Sequence, residues 1–283
     1  MTALHPDPYR DVDAQPDPIR FAESLEERGR TPSQVRLRQR FLRFMPVRPG
    51  HAVLEVGCGT GVVLRDLAAR VGPRGRVAGV DQSRWLVRAA AGILRRHPLR
   101  RRIALRVAAG GRLPFAADRF DATLAVTLLL HVAQPLEVVK EMARVTRPGG
   151  LVAVQDQDFG TVAVTHPDRA LTERIMAGVA ARLYEEPWSG RRLPGLLRAA
   201  GLERVRLLTD VYQDTTLEPY TKSFLERRAE NAVRFGLVDE RTAQGWLDGL
   251  TALVAQEAFV LTMNYYGAVG AKAPAPRGRR RPR

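Results

Sequence analysis

The chain has 283 residues, 45% of them hydrophobic, and a formal net charge of +15 at pH 7. That length holds one full core, or a core with an added cap, and the apolar content is ordinary for a globular protein. The single cysteine, Cys58, excludes a disulfide framework and a multi-thiolate metal site, and the five scattered histidines show no metal-binding spacing, so no metal is expected.

Pro6, Asp7 and Pro8 stand where a signal peptide needs an apolar run, so cytoplasmic residence is expected. The prolines and aspartates of the first thirty residues predict a flexible segment over 1–30, with little regular structure before Phe21. From Thr31 the pattern changes. Thr31-Pro32 reads as a cap followed by proline at the first helical position, and Val35, Leu37, Phe41, Leu42 and Phe44 continue an amphipathic helix to Pro46. Arg48-Pro49-Gly50 then turns the chain into V-L-E-V-G-C-G-T-G, Val53 to Gly61. Val53, Leu54 and Val56 suit a buried parallel strand; Gly57, Gly59 and Gly61 make a sharp turn at which bare backbone lies against a ligand. A helix from Val62 to Val71 follows, its first amides pointing back at the same place. Nicotinamide and flavin enzymes place G-x-G-x-x-G here, but Val62 occupies the third glycine's position. Glu55, just before the turn, suits a cationic ligand better than a phosphate.

These residues resemble the first motif of class I S-adenosylmethionine-dependent methyltransferases, in particular the methyltransferase type 11 group related to ubiquinone and menaquinone biosynthesis. The resemblance implies S-adenosylmethionine as cofactor and S-adenosylhomocysteine as product, with Glu55, Gly57, Cys58, Gly59 and Gly61 along the methionine part. In that family a helix such as 31–46 often closes over the cofactor, which makes Gln34 or Arg36 a candidate for the methionine carboxylate; simple packing is the alternative.

Gly75 to Val80 is a second strand, with Asp81 at its carboxyl end, where an acidic residue accepts hydrogen bonds from both ribose hydroxyls of an adenosine. Asp81 also suits an N-cap of the helix Arg84 to Arg95. V-D-Q-S, Val80 to Ser83, resembles the family's second motif and implies Gln82 beside the adenine. Ile103 to Val107 is a third strand, followed by A-A-G-G-R-L-P-F. Family members usually carry here an aspartate that accepts the adenine amino group. The matching position is Ala109, beside Gly110, so a backbone carbonyl or Gln82 is expected to take its place.

Phe120 to Val126 reads as a fourth strand, buried on both faces, with Thr127 at its carboxyl end as a further cofactor contact. Enzymes that methylate amino groups of adenine or cytosine have an N/D-P-P-Y/F-type sequence here; this chain reads T-L-L-L. His131 follows, then a helix Pro135 to Val145 and, after R-P-G-G, a fifth strand Leu151 to Gln155. Beyond it the pattern gives helices within 167–186 and 193–200, a strand 202–212, two helices within 217–257 and a last strand 259–271. The expected fold is α/β: a Rossmann-like, doubly wound, mostly parallel seven-stranded sheet with an antiparallel last strand and helical cap insertions. A methyltransferase domain would span 31–271, with insertions at about 157–190 and 214–257.

The basic tail 272–283 is expected to be disordered. It carries Lys272, Arg277, Arg279, Arg280, Arg281 and Arg283, and only three of the chain's 45 basic residues are lysines. The charge therefore reads as a solvated surface and tail, and a nucleic-acid partner is not expected. The apolar run Ala122 to Ala133 is too short to span a bilayer.

Polar side chains expected at the strand ends are Thr127, His131, Gln155, Asp156, Asp158 and, from the first insertion, His166. His131 is the candidate general base, since imidazole titrates near neutrality; its alternative is to brace the strand-to-helix junction. Asp156 is the second catalytic candidate, orienting a hydroxyl or attracting a cationic acceptor. Leu171, Ile175, Val179, Leu183 and Trp188 are expected to roof a mostly apolar acceptor pocket, and Tyr265 and Tyr266 to be core. The expectation is methyl transfer to a small-molecule acceptor, partly apolar, through an O, N or C nucleophile, by in-line displacement, with a homodimer as an option. An RNA or protein methyltransferase and a non-catalytic cofactor-binding regulator stand as alternatives.

Overall fold

The computed structural model describes residues 6–275. Its sheet has β1 (Ala52–Val56) at the centre, β2 (Arg76–Asp81) and β3 (Ile103–Val107) on one side, and β4 (Phe120–Val126) and β5 (Thr146–Gln157) on the other, all parallel. A two-residue β6 (Ala163–Val164), a long β7 (Glu203–Asp214) and β8 (Leu261–Ala271) complete it. β8 runs antiparallel between β5 and β7, and β6 pairs with its first residues. The expected seven-stranded order with an antiparallel last strand is therefore present, with β6 as a short addition.

The strands are apolar on both faces because helices cover both. Leu54 and Val56 join one core with Val138, Met142, Leu193 and Leu197, from α5 (Pro135–Val145) and α7 (Ser189–Ala199). Val53, one step along β1, joins the opposite core with Phe41, Leu42, Leu64 and Leu67, from α2 (Pro32–Phe44) and α3 (Val62–Val71). This alternation is the period-two geometry of a strand buried on both sides. α4 (Arg84–Leu94) follows β2, capped by the Ser83 hydroxyl, which accepts from Leu86 N–H at 3.0 Å.

Strand order reverses between β1 and β4, and there the carboxyl ends of the parallel strands splay around a crevice. The two excursions beside it share one apolar core. α6 (Arg169–Leu183), after β5, supplies Ile175 and Val179; α8 (Pro219–Arg234) and α9 (Glu240–Ala255), between β7 and β8, supply Phe224, Leu225, Trp246 and Leu250. No helix among the described residues is long and apolar enough to cross a membrane.

Two expectations about the ends need correction. Where a flexible arm is expected over 1–30, residues 19–30 form α1 (Ile19–Arg30), with Phe21 buried and Leu25 packed beside it. Its apolar residues fall at helical spacing inside a heavily charged segment, which hid the periodicity. At the other end Lys272 is docked: its ammonium donates to Asp118 Oδ1 at 2.7 Å and to the carbonyl of Thr146 at 2.8 Å. The expected disorder of the tail from 276 onward lies outside the described residues.

Candidate functional site

A cavity of about 760 Å³ opens at the carboxyl ends of the strands and runs from the glycine turn to the cap. The turn is built from backbone. Gly57 and Cys58 N–H both donate to the carbonyl of Val80, at 2.8 and 2.9 Å, which bends the chain sharply against β2. Gly57, Gly59 and Gly61 all have positive φ, of 74°, 49° and 81°. A Cβ on Gly57 would stand 2.8 Å from Leu128, and one on Gly59 2.9 Å from Leu25 of α1, so side chains here would close the cradle.

Asp81 ends β2 beside that turn. Its Oδ2 accepts from Gly59 N–H at 2.8 Å and its Oδ1 from Ser83 N–H at 2.9 Å. Burial, with the nearby Asp13 charge, still raises its carboxyl above the ordinary aspartate value against the opposing effect of these backbone donors. Glu55 is 2% exposed and its Oε2 has no partner. Burial, reinforced by the nearby Asp81 charge, pushes its carboxyl well above the usual range. Burial likewise pushes the Cys58 thiol up, so Cys58 contributes backbone and bulk rather than a thiolate.

The remaining cofactor candidates all border the cavity. Gln82 is exposed and donates to the carbonyl of Arg10 at 2.8 Å. Ala109 is exposed and Gly110 half-buried on the loop after β3. Thr127, at the end of β4, holds φ at 51°, a strain of roughly 1–3 kcal/mol for a non-glycine residue. The surroundings fix it there: Thr127 N–H donates to the carbonyl of Gln155 at 2.7 Å, and its hydroxyl accepts from Arg28 Nη1 at 3.0 Å.

Arg28 is a cavity residue that sequence reasoning missed. From α1 it enters the cavity between β4 and β8, donating also to Gln34 Oε1 at 3.2 Å. Gln34 is buried and donates to Tyr265 OH at 3.1 Å, whereas Arg36 is exposed and does not reach the cavity. Tyr265 is in the core, as expected, and also lines the cavity, accepting from Gln157 Nε2 at 2.6 Å.

His131 borders the cavity, and its Nδ1 lies 2.6 Å from Oδ2 of Asp7, a carboxylate with no exposed side-chain surface. A carboxylate only accepts, so in the neutral imidazole Nδ1 carries the proton and the lone pair lies on Nε2. Asp7 Oδ1 is fixed in turn by Tyr9 N–H at 3.1 Å, and the rings of Tyr9 and Tyr184 flank the imidazole at 5.1 and 5.6 Å. Asp7 was invisible at the sequence level because 124 positions separate it from His131.

Asp156 requires correction. Side chains alternate along β5, so Gln155 and Gln157 reach the cavity and Asp156 points to the opposite face. Its Oδ2 accepts from Leu130 N–H at 3.0 Å and from the Ser189 hydroxyl at 2.7 Å, and burial raises its carboxyl to about 6. Asp156 thus braces the turn that carries His131 and does not itself line the cavity. Asp158 caps Gly160 N–H and pairs with Arg191, and His166 sits against Trp246 and α9, both away from the cavity. The roof differs as well. Of the expected apolar residues only Leu183 lines the cavity; Phe159, Tyr184, Tyr220, Phe224 and Arg228 form most of its cap side.

Unfilled buried acceptors above a glycine cradle, with a strand-end aspartate beside them, suit a ligand that joins a cationic group to a nucleoside. An enzyme working on an activated nucleoside cofactor has that requirement. The comparisons with known proteins give this class its family. Residues 53–150 match the family model described as a methyltransferase domain. Methyltransferase GfsG of Streptomyces halstedii is 33% identical over 202 residues, covering 71% of this chain and 67% of its own. Nocamycin O-methyltransferase of Saccharothrix syringae is 32% identical, covering 60% and 65% respectively. Among solved structures, Haemonchus contortus phosphoethanolamine N-methyltransferase 2, in complex with phosphomonomethylethanolamine and S-adenosylhomocysteine, superposes with a TM-score of 0.61 at 17% identity. It covers 96% of this chain and 62% of that one, and shows the shared fold. The chain belongs to the S-adenosylmethionine-dependent methyltransferases. The residues present fit that cofactor: Glu55 Oε2, Thr60 Oγ1 and Gln155 Nε2 are buried, unpartnered and on the cavity wall.

Proposed function

We propose that this methyltransferase acts on a small, partly apolar acceptor with a weakly acidic O–H or N–H group, held between His131 and the aromatic roof. The observation that carries this reading is the Asp7–His131 pair, set in the wall of a cavity whose cap side is lined by Phe159, Tyr184, Tyr220 and Phe224. A cavity of that size and composition suits a small molecule, with few polar groups to orient it. The names of the relatives, a nocamycin O-methyltransferase and demethylmenaquinone methyltransferases, agree with an acceptor of this kind.

S-adenosylmethionine supplies an electrophilic methyl group when bound and leaves as S-adenosylhomocysteine. Asp81 is assigned to the ribose hydroxyls, Glu55 to the ammonium, and Arg28 with Thr127 to the methionine carboxylate. Gln82, Ala109 and Gly110 border the adenine. Gly57, Cys58, Gly59 and Gly61 provide the backbone cradle. His131 Nε2 accepts the proton of the acceptor as its lone pair forms the new bond, and Asp7 stabilises the imidazolium that results. The cap excludes water, and the cavity walls hold the nucleophile in line at roughly 3–3.5 Å from its target.

The test is a methyl-transfer screen by mass spectrometry in which the purified protein is offered phenolic and enolic small molecules, total RNA and a protein lysate. A gain of one methyl group on a small molecule, abolished in His131→Ala, is the expected result. Methylation confined to RNA or protein would overturn the reading, as would binding of S-adenosylmethionine without transfer to any pool.

A further inference from the structure

Arg228 on α8 is 2% exposed, yet it borders the cavity. Its guanidinium carbon lies 4.5 Å from the ring centre of Phe159, 4.8 Å from that of Phe224 and 5.2 Å from that of Tyr184. Phe159 and Tyr184 are stacked, 4.5 Å apart and within 3° of parallel, and Phe224 lies 11° from the plane of Phe159 at 6.2 Å. The cation is thus held in an aromatic slot.

Aromatic faces attract a guanidinium but accept no conventional hydrogen bonds from its N–H groups. Arg228 Nη2 reaches Tyr184 OH only at 3.4 Å, and Nη1 has no partner at all. No carboxylate among the described residues pairs with it; the nearby charge is that of Arg227, which opposes it. An arginine stays charged when buried, so this is an uncompensated cation on the wall of a binding cavity. Folded proteins leave few such groups unpaired, and on a cavity wall a bound ligand is one source of the missing acceptor.

We infer that Arg228 receives an anionic oxygen of the acceptor, so that the acceptor class is a flat, largely apolar acid such as an aryl carboxylate. The guanidinium fork matches a carboxylate, and the aromatic side chains of Phe159, Tyr184 and Phe224 that line the cavity beside it suit a flat apolar frame. The position of Tyr184 sets the scale. Its ring centre lies 5.6 Å from that of His131 and 5.2 Å from the Arg228 guanidinium carbon. The proposed base and the anion site therefore stand near the same tyrosine ring, close enough for the acidic group and the methyl-accepting hydroxyl to share a one- or two-ring frame. The inference rests on the methyltransferase reading of the cavity and adds the acceptor's charge to it.

The test uses the full chain saturated with S-adenosylhomocysteine and two probes: 3-hydroxy-2-naphthoate and its carboxamide, which has nearly the same shape without the charge. Calorimetry on the wild type is expected to show the acid binding about tenfold tighter than the amide or better, as a charge-assisted pair in a buried site requires. In Arg228→Met, which keeps the length of the side chain, the two probes should bind within about twofold of each other. Arg228→Lys should keep part of the preference, and S-adenosylhomocysteine affinity should be unchanged in both variants. Equal binding of acid and amide to the wild type overturns the inference, even if the Met variant fails to fold. So does binding of neither probe, or an acid preference that survives in Arg228→Met. A wild-type protein that fails to bind S-adenosylhomocysteine would instead sink the site reading on which the inference stands.

Discussion

Replacing Glu55 with glutamine tests how the cavity holds its cofactor, because the structure predicts opposite effects on binding and on stability. Glu55 is buried with Oε2 unpartnered, and burial beside Asp81 raises its carboxyl well above the usual range. A carboxyl raised in the folded state adds stability that is present below its unfolded pKa and lost as pH rises through the folded one. The ligand-free protein therefore carries at neutral pH the cost of a strained, ionisable acid. A cofactor ammonium reverses the preference by favouring the carboxylate, so binding releases a proton and tightens as pH rises above the ordinary carboxylate range. A charge-assisted hydrogen bond to a buried group contributes about 1.5–3 kcal/mol. Glu55→Gln should therefore weaken S-adenosylhomocysteine about 10- to 150-fold, while the ligand-free variant melts above the wild type at neutral pH. Calorimetry from about pH 5 to about pH 8, in buffers of differing ionisation enthalpy, reads both affinity and proton release. Affinity within twofold of wild type, or wild-type binding that releases no proton anywhere in that range, would refute the pairing.

Asp81→Ala removes two acceptors near the ribose position and should weaken S-adenosylhomocysteine at least about tenfold; unchanged calorimetric affinity would withdraw its role. Ala109→Asp, on the exposed loop after β3, should tighten cofactor binding by offering the adenine amino group a carboxylate, and an identical dissociation constant would show that this loop lies elsewhere relative to the adenine. His131→Ala should lower turnover by about 10²–10⁴ with cofactor affinity intact, and Asp7→Asn should lower it through the wrong tautomer; a loss under threefold in either returns the pair to a structural role. Asp156→Asn tests the brace behind His131. With its carboxyl at about 6 rather than 3.8, wild-type stability from this group is present below about pH 4 and lost as pH rises through about 6. The variant should therefore gain up to about 3 kcal/mol above that window, and equal denaturation midpoints at pH 4 and pH 7.5 in both proteins would contradict it.

What was legible in the sequence follows from how local each feature is. The glycine cradle, Asp81 at the end of β2 and the strand-helix alternation from 51 to 155 depend on neighbours a few residues apart, and the structure has each of them at the expected place. β5 was expected to be shorter because Pro148 and two glycines interrupt its apolar run, although its pairing with β4 continues beyond them to Thr146. Asp7, Arg28 and Arg228 were illegible for a different reason. Each enters the cavity from an element outside the central sheet, and contacts such as Asp7 with His131 or Arg28 with Tyr265 span more than a hundred positions. The alternation that put Gln155 and Gln157 into the cavity also removed Asp156 from it, and that consequence was readable from strand geometry once β5 extended to Gln157.

The distribution of unfilled polar groups separates the two halves of the cavity. Six buried side-chain atoms among the described residues lack a partner, and four of them, on Glu55, Thr60, Gln155 and Arg228, border this one cavity. Native proteins leave few such groups, so their concentration in one place points to ligands rather than to poor packing. Glu55, Thr60 and Gln155 stand on β1, its glycine turn and β5, at the carboxyl ends of the parallel strands. Arg228 stands on α8, in an excursion whose length and composition the sheet does not constrain. The cofactor half is therefore written in short motifs at strand ends, and the acceptor half in side chains that only the packing of the cap brings to the cavity.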